Sequence, residues 1–239
     1  MALTPLSFAQ KIHIVTEEIP VYSFYDEKLQ TVSGLTVEIV AEVMRRAKLD
    51  YKISIYPWAR AYKIAQEMPN TAIFALVRKE EREKHFKWVG AIYDNDAYLY
   101  KLRSRNDIQA KNMTELRPYI VGVVRDGAAA DVFLKEGIRV DAAPASVNNV
   151  HKLLLRRIDA MMGEELSLNY MLQKNNIDPS MLEKLFRVDK LSGQLYLAFS
   201  LQTSDTVVDA CKMALNSMMQ DGSFQRITQK WRGRQIGPQ

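Results

Sequence analysis

The chain has 239 residues, with 33 basic and 28 acidic side chains and a formal net charge of +5. Hydrophobic residues make up 47% and charged residues 26%, a globular balance that excludes a disordered or low-complexity chain. No apolar run approaches the roughly 18 residues of a membrane helix, and the length suits one large domain or two small ones, each able to bury a core without disulfide or metal.

In chain order, residues 11–16 read as a strand, and Leu35, Ile39, Val40 and Val43 mark the buried face of a helix. Residues 51–56 alternate as a strand. Pro57 then opens a helix running to about Met68, proline being suited to a first turn. Residues 71–76 form another strand and 97–102 an extended crossover. In the second half, 119–124 predict a strand, Asp126-Gly127 a turn, and a helix begins at Ala128. A strand at 138–141 precedes a helix over 147–156, with Val150, Leu153 and Leu154 on its apolar face. A buried strand at 158–162 leads into a helix over 164–174. Ser180-Met181-Leu182-Glu183 has the capping-box spacing of a short helix. Residues 195–199 return as a strand, and two closing helices start near Asp205 and Ser223. Strands alternating with helices put the chain in the α/β class.

The positive charge is spread out. Its densest cluster, residues 78–87, alternates with Glu80, Glu81 and Glu83, and the tail of Lys230, Arg232 and Arg234 is short. A nucleic-acid partner needs basic residues gathered on one element with interleaved aromatics, so none is expected. The excess suits a small anionic or zwitterionic ligand. Cys211 is the sole cysteine, which excludes an intrachain disulfide and a cysteine-based zinc site; in its amphipathic helix it reads as a small buried hydrophobe. His13, His85 and His151 are scattered without ligand spacing, so neither a metal nor a cofactor is expected.

Residues 122–127 carry the glycine spacing of a P-loop, but Ala128-Ala129 replace the lysine and hydroxyl residue that bind phosphate and magnesium. What remains is either a plain strand–helix turn or a helix N-terminus whose free N–H groups can hold an anion. Ser192-Gly193 lacks the preceding glycine of a nucleophile elbow, so hydrolase chemistry has no positive signal. Tyr56-Pro57-Trp58-Ala59-Arg60-Ala61-Tyr62 puts aromatics and a cation at a helix start. They could wall a pocket with Arg60 pairing a carboxylate, or form a hydrophobic staple with a surface arginine; the residues alone leave both open. Leu6-Ser7-Phe8-Ala9-Gln10 resembles the small-residue end of a cleaved export signal, which points to the periplasm.

Several segments together resemble the family 3 extracellular solute-binding proteins, the periplasmic polar amino-acid receptors of ABC transporters. Residues 16–24 followed by Gly34-Leu35 resemble the family's first strand, aromatic loop and glycine-led helix. Pro57-Trp58-Ala59-Arg60-Ala61 is similar to a signature of one proteobacterial branch, and residues 78–93 resemble the family's arginine–glutamate block. Arg156-Arg157-Ile158-Asp159-Ala160 and the segment from Asp221-Gly222-Ser223-Phe224 to Trp231 resemble its later blocks. The resemblance covers residues 10 to 232.

It implies a two-lobed type 2 periplasmic-binding-protein fold, each lobe a sheet flanked by helices. Lobe 1 would comprise 10–100 and 196–239, lobe 2 the inserted 101–195, and 1–9 a signal-peptide remnant or tail. Hinge strands would fall near 98–102 and 195–199, and the lobes would close on ligand. The family's carboxylate-binding arginine falls on Arg82, the helix N-terminus sharing that carboxylate on Gly127, Ala128 and Ala129, and the ammonium-binding carboxylate on Glu164, with Glu165 as the adjacent alternative. Tyr22, Phe24 and Trp58 would form an aromatic wall, and Arg60, Ala75 and Val77 would complete the contacts. The chain departs from the family pattern where Ala128, Ala129, Ala75 and Val77 replace polar contacts. The implied function is a monomeric periplasmic receptor, not an enzyme, delivering a small amino-acid-like or carboxylate ligand to an ABC-transporter permease. Two alternatives share the fold: a cyclohexadienyl-dehydratase-like enzyme with Glu164 or Glu165 as general acid, and a sensor without transport.

Overall fold

The structure, a computed structural model, describes residues 11–125 and 128–232; the export-signal segment, Gly127, the side chain of Ala128 and Arg234 lie outside the described residues. The chain forms two units. Within the described residues, unit 1 takes 11–93 and 194–232, and unit 2 takes 94–193.

Unit 1 begins with β1 (Ile12–Thr16), a small hairpin of β2 (Phe24–Asp26) and β3 (Thr31–Ser33), and α1 (Leu35–Arg46). It continues through β4 (Tyr51–Ile55), α2 (Trp58–Glu67), β5 (Thr71–Val77), the single turn α3 (Glu80–Glu83) and β6 (Phe86–Asn95). Unit 2 comprises β7 (Ala97–Leu102), β8 (Ile120–Val124), α4 (Ala128–Lys135), β9 (Arg139–Ala143), α5 (Ser146–Leu154), β10 (Ala160–Glu164), α6 (Glu165–Lys174) and β11 (Leu182–Arg187). The chain then re-enters unit 1 as β12 (Gly193–Ser200), α7 (Asp205–Gln220) and α8 (Ser223–Arg232).

The sheet orders are β4-β1-β5-β12-β6 and β11-β7-β10-β8-β9. In unit 1, β1 runs parallel to β4 and β5, and β12 runs antiparallel to β5. In unit 2, β8 runs parallel to β9 and β10, and β7 runs antiparallel to β10 and β11. The two units thus repeat one plan. From its first parallel strand the chain steps outward through a helix to one neighbour, then back over to the other side. The strand order reverses between β1 and β5, and again between β8 and β10.

Local chemistry explains the element boundaries. Gly34 enters α1 at φ 137°, where an added Cβ would lie 2.2 Å from the Tyr22 carbonyl oxygen. This close approach lets the Tyr22 carbonyl accept the Thr36 hydroxyl at 2.7 Å. Leu35, Ile39, Val40 and Val43 are fully buried beneath the helix. Pro57 caps α2 from outside rather than occupying its first turn, with extended backbone at ψ 140°, and Met68 is the residue beyond its end. Leu99 and Tyr100 of β7 fall in the two separate core clusters of unit 2, as the alternation of side chains along a strand requires. Residues 97–102 are therefore a full sheet strand, paired on both edges, rather than a crossover.

One expected helix is absent. Residues 179–181 make a 3-10 turn, and 182–187 continue as β11. The cap is Asp178, whose carboxylate accepts the backbone N–H and hydroxyl of Ser180 at 2.9 and 2.7 Å, and Glu183 instead pairs Lys101 across the ladder at 3.6 Å. Two motif aspartates are structural. Asp159 accepts the Ile120 N–H at 2.9 Å and an Arg105 guanidinium N–H at 3.1 Å, tying the starts of β8 and β10. Asp221 accepts from Ser223 and from Arg46, fastening the end of α7 to α1. Cys211 is buried in α7, and burial pushes its thiol up to about 12. Among the described residues, no helix is long and apolar enough to cross a membrane.

Candidate functional site

In open α/β sheets, ligands bind beyond the carboxyl ends of the strands where the strand order reverses. In unit 1 that point lies past β1 and β5. Thr16 closes β1 with its hydroxyl on the Phe74 carbonyl at 3.4 Å, and on the other side its carbonyl accepts the Tyr56 N–H at 2.9 Å. The ends of β4, β1 and β5 are thereby brought level, and the residues beyond them form one cluster.

Arg82, on α3, donates through Nη1 to the Val77 carbonyl at 2.9 Å. Its guanidinium lies over the rings of Trp58 and Tyr62, 5.6 and 5.4 Å from their centroids. Those two rings pack 5.7 Å apart at the start of α2, and the aromatic ladder continues through Phe86 and Trp88 to Tyr196. An arginine stacked on aromatics with N–H groups to spare suits a planar carboxylate. Arg78 is peripheral by comparison. It is exposed, bound on two nitrogens by Glu83 at 2.6 and 2.9 Å, and set over Trp88 and Tyr196.

Ala75 has φ 59° and sits where the β5–β12 register slips between Tyr196 and Ala198. It is the extra residue of a β-bulge in a left-handed conformation that costs an L-residue about 1 kcal/mol. Its methyl is buried. The bulge re-aims the last turn of β5, including the Val77 carbonyl that Arg82 holds. Of the remaining unit 1 candidates, Tyr22 is buried and its hydroxyl donates to that of Tyr93 at 2.9 Å. Phe24 meets Trp231 edge-on at 6.2 Å, and the exposed Arg60 lies 4.5 Å over Tyr56. Trp58 and Arg82 are brought together; the rings of Tyr22 and Phe24 and the guanidinium of Arg60 have packing partners elsewhere.

Glu17 was not among the residues singled out from the sequence. It follows β1 directly, and its carbonyl is fixed by the Ser23 hydroxyl at 2.7 Å. Its carboxylate is half-buried and has no partner among the described residues, and burial raises its pKa above the ordinary value.

In unit 2 the reversal lies past β8 and β10. Glu164 is the N-cap of α6, accepting the N–H groups of Leu166 and Ser167 at 3.2 and 2.9 Å. Capping orients the carboxylate and keeps it beside the positive helix end. Glu165 is exposed and paired with Lys184 at 2.8 Å. Ala129 buries its methyl in the core cluster with Phe133 and Val121, so only its backbone is available to an anion. Arg125, also missed, directly follows β8. Its N–H bonds the Ala143 carbonyl at 2.8 Å, while its exposed guanidinium has no partner among the described residues. Among the described residues, no cluster of His, Cys, Asp and Glu could hold a metal ion.

Residues 12–234 match the family model of bacterial extracellular solute-binding proteins, family 3. The L-cystine-binding protein TcyA of Bacillus subtilis (strain 168) is 20% identical over 219 residues, covering 90% of this chain and 78% of that protein. Among solved structures, the probable amino-acid ABC transporter extracellular-binding protein ytmK from Bacillus subtilis aligns with TM-score 0.77 at 19% identity, covering 94% of this chain and 98% of that one. A histidine kinase sensor domain with similarity to periplasmic binding proteins aligns with TM-score 0.74 at 15% identity, covering 94% and 96%. The sheet orders and these likenesses define a type 2 periplasmic-binding-protein fold. With the family match spanning nearly the whole chain, the protein belongs to the bacterial extracellular solute-binding proteins of family 3.

Proposed function

We propose that the protein is a periplasmic receptor for a small amino-acid-like ligand, which it delivers to an ABC-transporter permease. The observation that carries this reading is Arg82, fixed at the end of β5 by the Val77 carbonyl and stacked on Trp58 and Tyr62. In this reading Arg82 takes the ligand carboxylate on a bidentate fork, Glu17 offers an acceptor to a cationic group, and Trp58 covers apolar parts of the ligand. The names of TcyA and ytmK, an L-cystine-binding protein and a probable amino-acid transporter component, support the ligand class.

A sensor role without transport is the second reading, favoured by the likeness to a histidine kinase sensor domain. A dehydratase reading draws less support, because Glu164 is engaged as a helix cap and Glu165 is exposed and paired with Lys184. Titration calorimetry with a panel of free amino acids, on the wild type and on Arg82→Ala, tests the receptor role. Binding that Arg82→Ala abolishes supports it; no binding by any amino acid overturns it. Incubation with prephenate, followed by ultraviolet absorbance of aromatic product, tests the enzyme.

A further inference from the structure

Unit 2 carries a cavity at the end of its sheet away from the strand-order reversal. Ala97, the first residue of β7, pairs with Glu164 at that reversal, and Leu102 is the last residue of the strand. The length of β7, about 17 Å at 3.4 Å per residue, therefore separates Leu102 from the reversal. Around Leu102, the turn that ends α5 and the 3-10 turn at 179–181 frame a cavity of about 490 Å³. That volume falls in the range of small-molecule sites.

The chemistry of this cavity is one-sided. Two of its lining residues are Arg103 and Arg156, and among the described residues no carboxylate lines it. Arg103 is tethered: its backbone N–H bonds the Met181 carbonyl and its Nε the Ser180 carbonyl, each at 2.8 Å. Both Nη groups are left for a ligand, because a guanidinium carries five N–H donors. Arg156 is exposed, and its guanidinium has no partner among the described residues. Its φ of 56° is a left-handed conformation that disfavours any residue with a Cβ. Asp178, two residues before Ser180, is engaged by the Ser180 N–H and hydroxyl at 2.9 and 2.7 Å. The rest of the lining is mainly apolar: Leu102 buried in the core, Leu154 packed against it, and Met181 exposed.

We propose that this cavity is a further ligand site, formed by unit 2 alone, for a small aromatic carboxylate. Arg103 and Arg156 take the carboxylate, while Leu102, Leu154 and the Met181 thioether take the ring. A guanidinium pairs a carboxylate through its fork and stacks on an aromatic face, and a thioether sulfur favours a ring edge. An α-amino acid fits less well, because its ammonium meets two cations and no carboxylate. Inorganic phosphate leaves the apolar lining uncovered. The site is independent of the amino-acid-receptor reading, and neither depends on the other.

The test is an NMR titration of the full chain, isotope-labelled at the methionine methyls, with hydrocinnamate, its uncharged amide and L-phenylalanine at fixed ionic strength. Met181→Leu identifies the Met181 signal. Hydrocinnamate should move that signal saturably and bind about 10-fold or more tighter than either of the other two, the discrimination expected of charge-assisted hydrogen bonds. Arg156→Gly should weaken hydrocinnamate by about 10- to 100-fold and melt no lower than the wild type, because glycine relaxes the left-handed turn. Arg156→Asn, also tolerant of that conformation, should lose the same binding. Arg156 is the residue to change because Arg103 also fastens the 3-10 turn. The inference is overturned if the Met181 signal does not respond, or if the amide or L-phenylalanine binds as tightly as hydrocinnamate. It is overturned equally if the Arg156 variants bind hydrocinnamate like the wild type.

Discussion

Arg82 turns back on its own chain to donate to the carbonyl oxygen of Val77 at 2.9 Å. That bond holds the base of the guanidinium while the Trp58 and Tyr62 rings lie against its face, so its geometry is set before any ligand arrives. Preorganisation of this kind limits the ordering cost of binding. Arg82→Ala should weaken binding of a carboxylate ligand by roughly 30-fold or more, and Arg82→Lys should recover little, because an ammonium lacks the planar fork. Arg78→Ala is the matched control, its side chain being engaged by Glu83. Calorimetry showing equal losses for the two arginines would remove Arg82 from the site.

Trp58 sits under the guanidinium, whereas Trp231 is buried against Phe24 and Trp88 packs beneath Arg78. Ligand binding should change tryptophan fluorescence, and Trp58→Ala should abolish most of that change. A signal that survives in the variant assigns Trp58 to packing alone.

Gly34→Ala should be severely destabilising, on the order of 3 kcal/mol or more. The new Cβ would meet the Tyr22 carbonyl oxygen at 2.2 Å at a φ of 137°. Gly193→Ala, with no atom within 4 Å of its added Cβ, should melt with the wild type. Thermal denaturation of the pair separates close approach from a general intolerance of glycine replacement.

Glu17 makes stability depend on pH in a defined direction. Its folded pKa is raised by burial, so the folded state holds the proton more tightly than the unfolded state. The stabilising contribution is complete below the unfolded carboxylate pKa and is lost as pH rises through the folded one. Glu17→Gln should therefore melt above the wild type at pH 7 and show no such gain at pH 4. Identical differences at both values would mean that ionisation of Glu17 is not penalised.

Much of the fold was readable because burial follows simple periods. Ile12–Thr16 and Thr71–Val77 are apolar runs, and α1 buries residues at helical spacing. β6 escaped notice because its burial is uneven, with Phe86, Ile92 and Tyr93 buried and half-exposed residues between them. The capping-box pattern at 180–183 misled because Asp178-Pro179 took the cap and the ladder to β7 claimed Leu182 onward. Pairing across the sheet overrode a local signal. Arg82 and Trp58 were singled out, but their stacking depends on α3 meeting α2. Glu17 and Arg125 look like ordinary solvated charges beside strands. Their positions acquire meaning only from sheet order, which joins residues far apart in the chain.

The place of β12 has a consequence for how the chain matures. It lies between β5 and β6, yet unit 2 separates it from both in sequence. A polypeptide emerging from its N-terminus can complete unit 2 from contiguous residues while unit 1 still lacks an interior strand. Until residue 200 has emerged, the edge of the apolar Thr71–Val77 stays unpaired, an adhesive template for other chains. Arg46 likewise waits for Ser217, Asp221 and Ser223. Unit 1, though it precedes unit 2 in the chain, is thus the later to close, because its interior strand is made only after unit 2.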